Sequence, residues 1–449
     1  MSLEELAQKL VERAGTGEAV EAFLTHGREF TVRAYDGDVE SLSSAEPRGA
    51  GLRVITEGRA GFAYSTDLTE AGLDRLVDDA RTNARHATPD EAVALPEPWA
   101  QKPDDVPGLV DDAQTSVTPD EKVRFAVELE RATRGADERV RTVEDAVYAD
   151  SEIEIAIANS NGIAGSYRST DAWCYSVAIA TEGDDTEVGF DFDLARGLNG
   201  LDAAATARRA ADRAVSVLGA RKIPSGRMPV ILDPYTSGQF LGVIAGVLTG
   251  EAVQKGRSLF AGRLGESVAS PELTLWDDGR IAGAPGSAPW DDEGVPRGRT
   301  NIIEGGVLES FLYDVISARR DGRRSTGNAT RAGFKSAPGP SPSNLAFDPT
   351  GQTRAEVMKM GGRAFLVQDF HGVHSGANPI SGDFSVGATG LLLEDGEPVR
   401  SVKEVTIAAP MLEILAGIRA VADDRRWLPF GGSLGGATTL VEEMTVAGE

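Results

Sequence analysis

The most informative segment of the chain reads Gly250-Glu-Ala-Val-Gln-Lys-Gly-Arg-Ser-Leu-Phe-Ala-Gly-Arg-Leu-Gly-Glu-Ser-Val-Ala-Ser270. Its glycines and arginines do not form a common phosphate-binding pattern. A P-loop would close on Gly-Lys followed by Ser or Thr, and a dinucleotide-binding loop would carry Gly-x-Gly-x-x-Gly. The segment therefore does not predict nucleotide binding, and its meaning depends on what surrounds it.

Around this segment, the C-terminal half of the chain has the pattern of many short strands with few helices. An apolar stripe predicts one helix from about Thr236 to Leu248. Two further helices are predicted over Thr353–Gly361 and Leu412–Ala422. Residues 280–300 and 335–350 have the composition of loops.

The N-terminal half predicts helices interspersed with strands. Ser2 and Thr118 each stand three residues before a glutamate, which is the spacing of a capping box at the start of a helix. Asp36-Gly37 and Asn161-Gly162 are typical tips of β-hairpins. Residues 88–117 are rich in Pro and Asp and predict a surface connection.

The length of 449 residues exceeds what one hydrophobic core usually holds. Lys222-Ile-Pro-Ser-Gly-Arg-Met-Pro229 contains two prolines and a glycine, and a new apolar run follows it. We therefore predict an N-terminal α+β domain over residues 1–221 and a β-rich domain over residues 222–449.

Composition narrows the class of protein. The net charge of -25 disfavours contact with phosphate backbones, so nucleic acid is not an expected partner. No apolar run reaches the length of about 18 residues that a membrane helix needs. The first residues lack a basic and then apolar signal segment, and the single cysteine cannot form an internal disulfide. These features predict a cytoplasmic protein without a membrane partner.

The chain is poor in side chains that bind transition metals. A catalytic zinc site needs about three His, Cys or carboxylate ligands and one open position. The chain has one cysteine and four histidines, and it lacks a His-Glu-x-x-His motif. The nearest candidate is His371-Gly-Val-His374 followed by Asp383. These residues could share a metal, or the two imidazoles could make ordinary hydrogen bonds.

Other reactive patterns have simpler interpretations. Gly431-Gly432-Ser433-Leu434-Gly435 matches the Gly-x-Ser-x-Gly pattern, but no histidine follows it in the chain, so a glycine-rich turn is predicted. Cys174 lies in an apolar strand and is predicted to be a buried, inert thiol. Arg319-Arg320 and Arg323-Arg324 form a basic cluster. It could bind a carboxylate, a peptide backbone or an acidic partner, or it could be a solvated turn.

Four stretches of the C-terminal half resemble the TldD/PmbA (TldE) family, whose members are described as predicted modulators of DNA gyrase and as metallopeptidases. The resemblance is carried by these motifs: Lys255–Ser270 with Trp276-Asp-Asp-Gly279; Ile303-Glu-Gly-Gly-Val-Leu308 with Ser317-Ala-Arg-Arg320 and Ser325-Thr-Gly-Asn328; Gly376-Ala-Asn-Pro-Ile-Ser-Gly-Asp-Phe-Ser385; and Glu443-Met-Thr-Val-Ala-Gly448.

The family resemblance implies one of two kinds of subunit. The TldD kind carries a His-Glu-x-x-x-His helix and a late cysteine that hold a metal, and the PmbA/TldE kind lacks them. The helical motif would fall at Leu241-Gly-Val-Ile-Ala-Gly246, which contains no ligand. The cysteine would fall near Pro429–Gly435, where no cysteine stands. The chain is thus similar to the PmbA/TldE kind, and no catalytic or metal-binding residue is transferred to it.

The resemblance further implies a fold and a function. The expected fold is α+β, with a C-terminal domain built on a curved, mixed or antiparallel sheet. The expected function is that of a metal-free subunit of a zinc metallopeptidase that degrades or trims unfolded peptides, such as leader peptides. The partner is a TldD-type subunit that bears the zinc, or a second copy of this chain. An extended peptide could add as a strand to a sheet edge.

Seven residues are candidate contacts for such a peptide: His374, Asn378, Ser381, Gly382, Asp383, Arg319 and Arg320. The residues from Asn378 to Asp383 offer donors and acceptors on a turn, which suits binding of a peptide backbone. Two other functions stay open. One is an independent metal-dependent hydrolase that uses His371, His374 and Asp383. The other is a non-enzymatic, homodimeric peptide-binding or scaffold protein. A direct role at gyrase or DNA is disfavoured by the acidic charge.

Overall fold

The computed structural model describes residues 1–428 and 433–449. In the N-terminal half, a seven-stranded antiparallel sheet has the order β4-β3-β1-β5-β6-β7, and β2 extends beside β1. Its strands are β1 (Ala19–Tyr35), β2 (Asp38–Ala45), β3 (Arg48–Thr56), β4 (Arg59–Ser65), β5 (Val140–Asn159), β6 (Ala164–Glu182) and β7 (Asp185–Ala195).

Four helices pack on this sheet through apolar side chains. They are α1 (Leu3–Val11), α2 (Glu70–His86), α3 (Pro119–Gly135) and α4 (Ala203–Ser216). The predicted capping boxes at Ser2 and Thr118 are confirmed, since each side chain accepts a bond from the third helical N–H and each glutamate bonds back. Cys174 lies in β6 between Tyr148 of β5 and Asp193 of β7, and its side chain is fully buried.

The C-terminal half contains shorter elements. Its helices are α5 (Pro234–Ala245), α6 (Gly250–Gln254), α7 (Val315–Arg320), α8 (Arg354–Met360), α9 (Val373–Gly376) and α10 (Met411–Gly417). Its strands are β8 (Gly226–Leu232), β9 (Leu275–Asp278), β10 (Arg299–Glu304), β11 (Val307–Leu308), β12 (Ala329–Thr330), β13 (Gly339–Pro340), β14 (Asn344–Phe347), β15 (Ala364–His371), β16 (Ala377–Asn378), β17 (Asp383–Glu394), β18 (Glu397–Pro410), β19 (Ile418–Val421), β20 (Arg426–Leu428), β21 (Ser433–Gly436) and β22 (Thr439–Ala447).

These strands form two main sheets. One has the order β15-β8-β22-β18-β17, and β17 pairs back to β15, so that these five strands close into a barrel. The other has the order β11-β10-β9-β14-β21-β20. Both sheets contain one parallel pair among antiparallel ones. The expected α+β fold with curved mixed sheets is confirmed, and the closure of the barrel goes beyond that expectation.

Several local predictions needed correction. The predicted helix Leu412–Ala422 ends at Gly417, because the residues after it pair with β22 and are largely buried. The predicted loop 335–350 contains β14, whose four residues are all buried. Strand β7 was not predicted at all. Residues 418–421 and β14 pair with strands that are distant in the sequence, which the local sequence does not report, whereas β7 forms a hairpin with the preceding strand β6.

The two halves of the chain share buried side chains. Phe192 of β7 belongs to the large apolar cluster of the C-terminal half. Phe23 and Ile157 of the N-terminal sheet pack with Trp290 and Phe334. Our division of the chain after residue 221 stays a prediction. Among the helices that the structure describes, none is long and apolar enough to cross a membrane.

Candidate functional site

Helix α5 occupies the place where the family resemblance puts the metal-binding helix. Asp233 caps its first turn by accepting a bond of 2.9 Å from the Thr236 N–H, and Pro234 takes the first helical position, where no N–H is needed. The helix lies against β15 of the barrel and against β20 and β21 of the six-stranded sheet. It thus connects the two sheets of the C-terminal half.

The face of α5 that meets β20 and β21 is apolar and closely packed. Leu241 and Ile244 are fully buried. A Cβ placed on Gly238 would lie 2.6 Å from a methyl carbon of Leu428, and one on Gly242 would lie 3.1 Å from Leu434. Glycine here lets the helix approach the sheet more closely than another residue would allow. In the described part of this seam, Leu241, Ile244 and the leucines of β20 and β21 therefore leave little space for a hydrated cation.

Elsewhere in the described part of the chain, the donor side chains do not form a metal site either. Among residues 1–428 and 433–449, no three His, Cys, Asp or Glu side chains converge as a cation would require. His371, His374 and Asp383 are therefore not brought together as one ligand set. Of the segment near Pro429–Gly435, residues 429–432 lie outside the described residues, so the predicted glycine-rich turn is described only from Ser433, which begins β21.

His371 ends β15 beside a cavity of about 260 Å³. Its Nε2 lies 2.9 Å from the Thr389 hydroxyl, which is an ordinary hydrogen bond. Tyr235, at the start of α5, also lines the cavity, and burial raises the pKa of its phenol to about 12. The phenol therefore stays protonated at neutral pH. Arg213, which is paired with Asp233, completes a polar wall.

The predicted contacts from Asn378 to Asp383 form one tight turn between β16 and β17. The Asn378 side-chain oxygen accepts N–H bonds from Ile380 at 3.0 Å and Ser381 at 3.3 Å. The Ser381 hydroxyl donates to Asp383 at 2.6 Å, and Gly382 adopts a positive φ of 84°. The side chains of Asn378, Ser381 and Asp383 are exposed, and β16 is the terminal strand of its sheet.

The three remaining predicted contacts are exposed. In the described part of the chain, the His374 imidazole on α9 has no hydrogen-bond partner. Arg320, at the end of α7, pairs with Asp90. Arg319 makes one long bond of 3.4 Å to the Glu91 carbonyl. The structure thus places Arg319 and Arg320 beside the surface connection 88–117, apart from the turn that contains Asn378.

A buried ionic network joins the two halves, and the sequence analysis missed it. One nitrogen of Arg53 lies 2.8 Å from Glu21 and 2.9 Å from Glu293, and Arg331 also pairs with Glu21. All four side chains are buried. Burial alone lowers the pKa of Arg53, but the two carboxylates outweigh it and raise this pKa. A charged residue inside an apolar strand, as in Leu52-Arg53-Val54, was the available signal.

Three family models match successive parts of the chain. They describe domain 1 of the PmbA/TldA metallopeptidases at residues 20–84, their central domain at residues 112–218 and their C-terminal domain at residues 225–448. Together they account for most of the sequence.

Relatives match along nearly the whole length. Metalloprotease PmbA of Escherichia coli O157:H7 is 27% identical over 449 residues, which cover 100% of this chain and 96% of the relative. A metalloprotease TldD homolog of Haemophilus influenzae is 27% identical over 407 residues, which cover 86% of this chain and 82% of the relative.

Solved structures share the fold. A proposed modulator of a DNA gyrase from Thermotoga maritima superposes with a TM-score of 0.90 at 27% identity and covers 99% of this chain and 100% of that one. TldE from Thermococcus kodakarensis superposes with a TM-score of 0.87 at 24% identity, with 99% of each chain covered. The second likeness concerns the fold alone.

Proposed function

Because this chain belongs to the PmbA/TldD metallopeptidase family, we propose that it is the subunit without a catalytic metal in a cytosolic, two-subunit peptidase. Its partner would be a TldD-type subunit that carries the His-Glu-x-x-x-His helix and zinc. The substrates would be unfolded peptides, such as leader segments of precursor proteins. A homodimer that binds peptide without cutting it is the alternative assembly.

One observation carries this proposal. The helix segment Leu241–Gly246, which would supply the metal ligands, presents buried apolar side chains to β20 and β21 instead. A zinc site needs several nitrogen, sulfur or carboxylate ligands. Leu241 and Ile244 are fully buried within the large apolar cluster of the C-terminal half. The cutting chemistry would therefore come from the partner.

The turn around Asn378–Asp383 supports a role in holding the peptide. It adjoins β16, the terminal strand of the sheet, where an extended peptide could add through backbone hydrogen bonds. Such pairing depends little on the sequence of the peptide. His374, Asn378, Ser381, Gly382 and Asp383, with Arg319 and Arg320, remain our proposed contacts.

Metal analysis and peptide cleavage test the proposal. We expect the purified chain alone to hold far less than one zinc per subunit and to leave an unfolded peptide intact. After co-expression with a paralogue that carries His-Glu-x-x-x-His, the copurified complex should contain zinc and cleave the same peptide. Chelation of the complex serves as the control and should abolish cleavage.

The contrary result is equally specific. If the lone chain held about one zinc per subunit and cleaved peptide with activity lost on chelation, the chain would be an independent hydrolase. If the chain formed only homodimers and never copurified with the paralogue, the scaffold alternative would replace the two-subunit model.

A further inference from the structure

A groove of about 930 Å³ lies between α7 and the surface connection 88–117. Its floor is apolar and includes Leu95, Val315 and Ala318, and Trp99 lines the wall opposite α7. Its lining contains three arginines, Arg319, Arg323 and Arg324, and one carboxylate, Glu97. In a chain with 70 acidic and 45 basic residues, this local excess of positive charge runs against the composition of the whole protein.

No side chain that the structure describes neutralises these three arginines. Within the described residues, none of them has a carboxylate within the 4 Å of an ion pair, whereas the neighbouring Arg320 is paired with Asp90. The nearest acid in sequence, Asp321, accepts bonds from the Tyr313 hydroxyl at 3.0 Å and from Gln254 at 2.9 Å. The guanidinium groups therefore remain available to bind a carboxylate through bidentate hydrogen bonds.

The positions of these arginines follow from a tight turn after α7. Gly322 has a positive φ of 63°, which reverses the chain. The Arg323 N–H then donates to the Ala318 carbonyl at 2.8 Å. This bond places Arg323 and Arg324 beside Arg319, above the apolar floor.

The opposite wall is held in place at several points. The Trp99 indole donates to the Gly294 carbonyl at 2.6 Å, and its ring lies 4.9 Å from that of Trp290. The Asn161 side chain donates to the Pro96 carbonyl at 2.9 Å. A wall fixed in this way loses little conformational freedom when a ligand binds.

We propose that this groove binds an extended peptide segment in which acidic and apolar side chains alternate. In an extended chain, successive side chains point in opposite directions, so apolar groups can face the floor while carboxylates face the arginines on the rim. This inference deepens the proposed function by naming a class of peptide. Nucleic acid is a poorer match, because the net charge of -25 repels phosphates and the floor is apolar.

Fluorescence anisotropy on the full-length chain tests the proposal. The probe is a short fluorescein-labelled peptide in which leucine and glutamate alternate, and its companion has glutamine at every glutamate. We expect the glutamate peptide to bind about tenfold more tightly than the glutamine peptide. Arg323→Glu with Arg324→Glu should weaken binding of the glutamate peptide by at least about tenfold, and the two alanine substitutions should weaken it by less.

The matched control is Arg141→Glu with Arg208→Glu. These arginines are also exposed, have no ion pair in the described residues and lie outside the groove, so the net charge changes equally. Binding by this control should stay within about twofold of the unchanged chain.

Three outcomes would overturn the proposal: equal affinity for both peptides, an equal loss in the control variant, or tighter binding of a labelled single-stranded oligonucleotide at the same arginines. The measurement needs no metal-bearing partner. A negative result here would not contradict the proposed two-subunit peptidase, and a negative cleavage result would not contradict peptide binding in the groove.

Discussion

Glu18 forms hydrogen bonds that connect the loop before β1 to helix α2. Its carboxylate faces the Arg81 guanidinium of α2 with two nitrogen–oxygen distances of 2.9 Å, and it also accepts the Gly15 N–H at 2.7 Å. The hydrogen bond from Arg81 is the main reason why the pKa of Glu18 lies below its usual value of 4.5. Glu18 thus ties the loop before β1 to α2.

We expect Glu18→Gln to lower the free energy of unfolding by about 1 kcal/mol at neutral pH, because the charge-assisted bonds are lost. The folded-state pKa is lowered, so this contribution is complete above about pH 4.5 and disappears as the pH falls through the folded-state pKa. Denaturant unfolding at several pH values measures the difference. It should shrink on acidification, and a difference that grew instead would contradict this account.

The control for this prediction is Asp78→Asn. Asp78 lies 3.9 Å from the same arginine but is largely exposed, so its removal should change stability by a few tenths of a kcal/mol at most. Equal effects of the two substitutions would mean that the geometry around Glu18 confers no special stability.

At the scale of elements, the contact of α5 with β21 depends on close backbone approach. A Cβ on Gly436 would lie 1.9 Å from the Pro234 carbonyl oxygen and 2.5 Å from the Gly238 nitrogen. Both are backbone atoms of the helix, so they cannot swing aside. The helix would have to move away from the sheet as a unit.

We therefore expect Gly436→Ala to lower the free energy of unfolding by about 1–3 kcal/mol. Gly246→Ala is the matched control, since a Cβ there meets nothing within 4 Å. It should be neutral or slightly stabilising, because it reduces the freedom of the unfolded chain. Thermal unfolding of both variants tests the contact, and an unchanged melting temperature for Gly436→Ala would show that the helix yields easily.

Element prediction succeeded where the signal is local. The caps at Ser2 and Thr118 and the turn at Asn161-Gly162 involve residues that touch their near neighbours, so the sequence pattern is sufficient. It failed for Leu412–Ala422, whose second half is drawn into a strand by β22. The apolar residues Ile418 and Val421 are compatible with a helix and with a strand. Pairing with β22 determines that they form a strand.

At the scale of the whole molecule, the network of Arg53, Glu21, Glu293 and Arg331 connects residues up to 310 positions apart. We expect Arg53→Met to lower the free energy of unfolding by about 3–5 kcal/mol, because it leaves the buried Glu293 carboxylate without its cation and leaves Glu21 with Arg331 alone. The exposed pair of Arg75 and Asp67 provides the control. Arg75→Met should cost less than about 1 kcal/mol.

Chemical denaturation monitored by tryptophan fluorescence distinguishes these outcomes. A similar loss for Arg53→Met and Arg75→Met would show that the buried network adds no stability beyond that of a surface pair. A second, earlier transition in Arg53→Met would show that the network couples the two halves.

The site was predictable only in part. The absence of metal ligands at Leu241–Gly246 follows from the sequence once the family resemblance is recognised, and the basic character of Arg319–Arg324 follows from composition. The groove could not be predicted from the sequence, because one wall comes from α7 and the opposite wall from residues near Trp99. Tertiary packing alone brings these two segments together. The return of β17 to β15 has no local signature for the same reason.

The central position of Cys174 has a practical consequence. The strand that contains it is flanked on both sides, and burial raises the pKa of the thiol to about 12, so alkylating reagents find almost no thiolate in the native protein. A thiol-reactive dye would therefore label only a cysteine that is introduced on the surface, and Cys174 would stay unlabelled. The rate at which the Cys174 thiol reacts would instead report how often the N-terminal sheet opens.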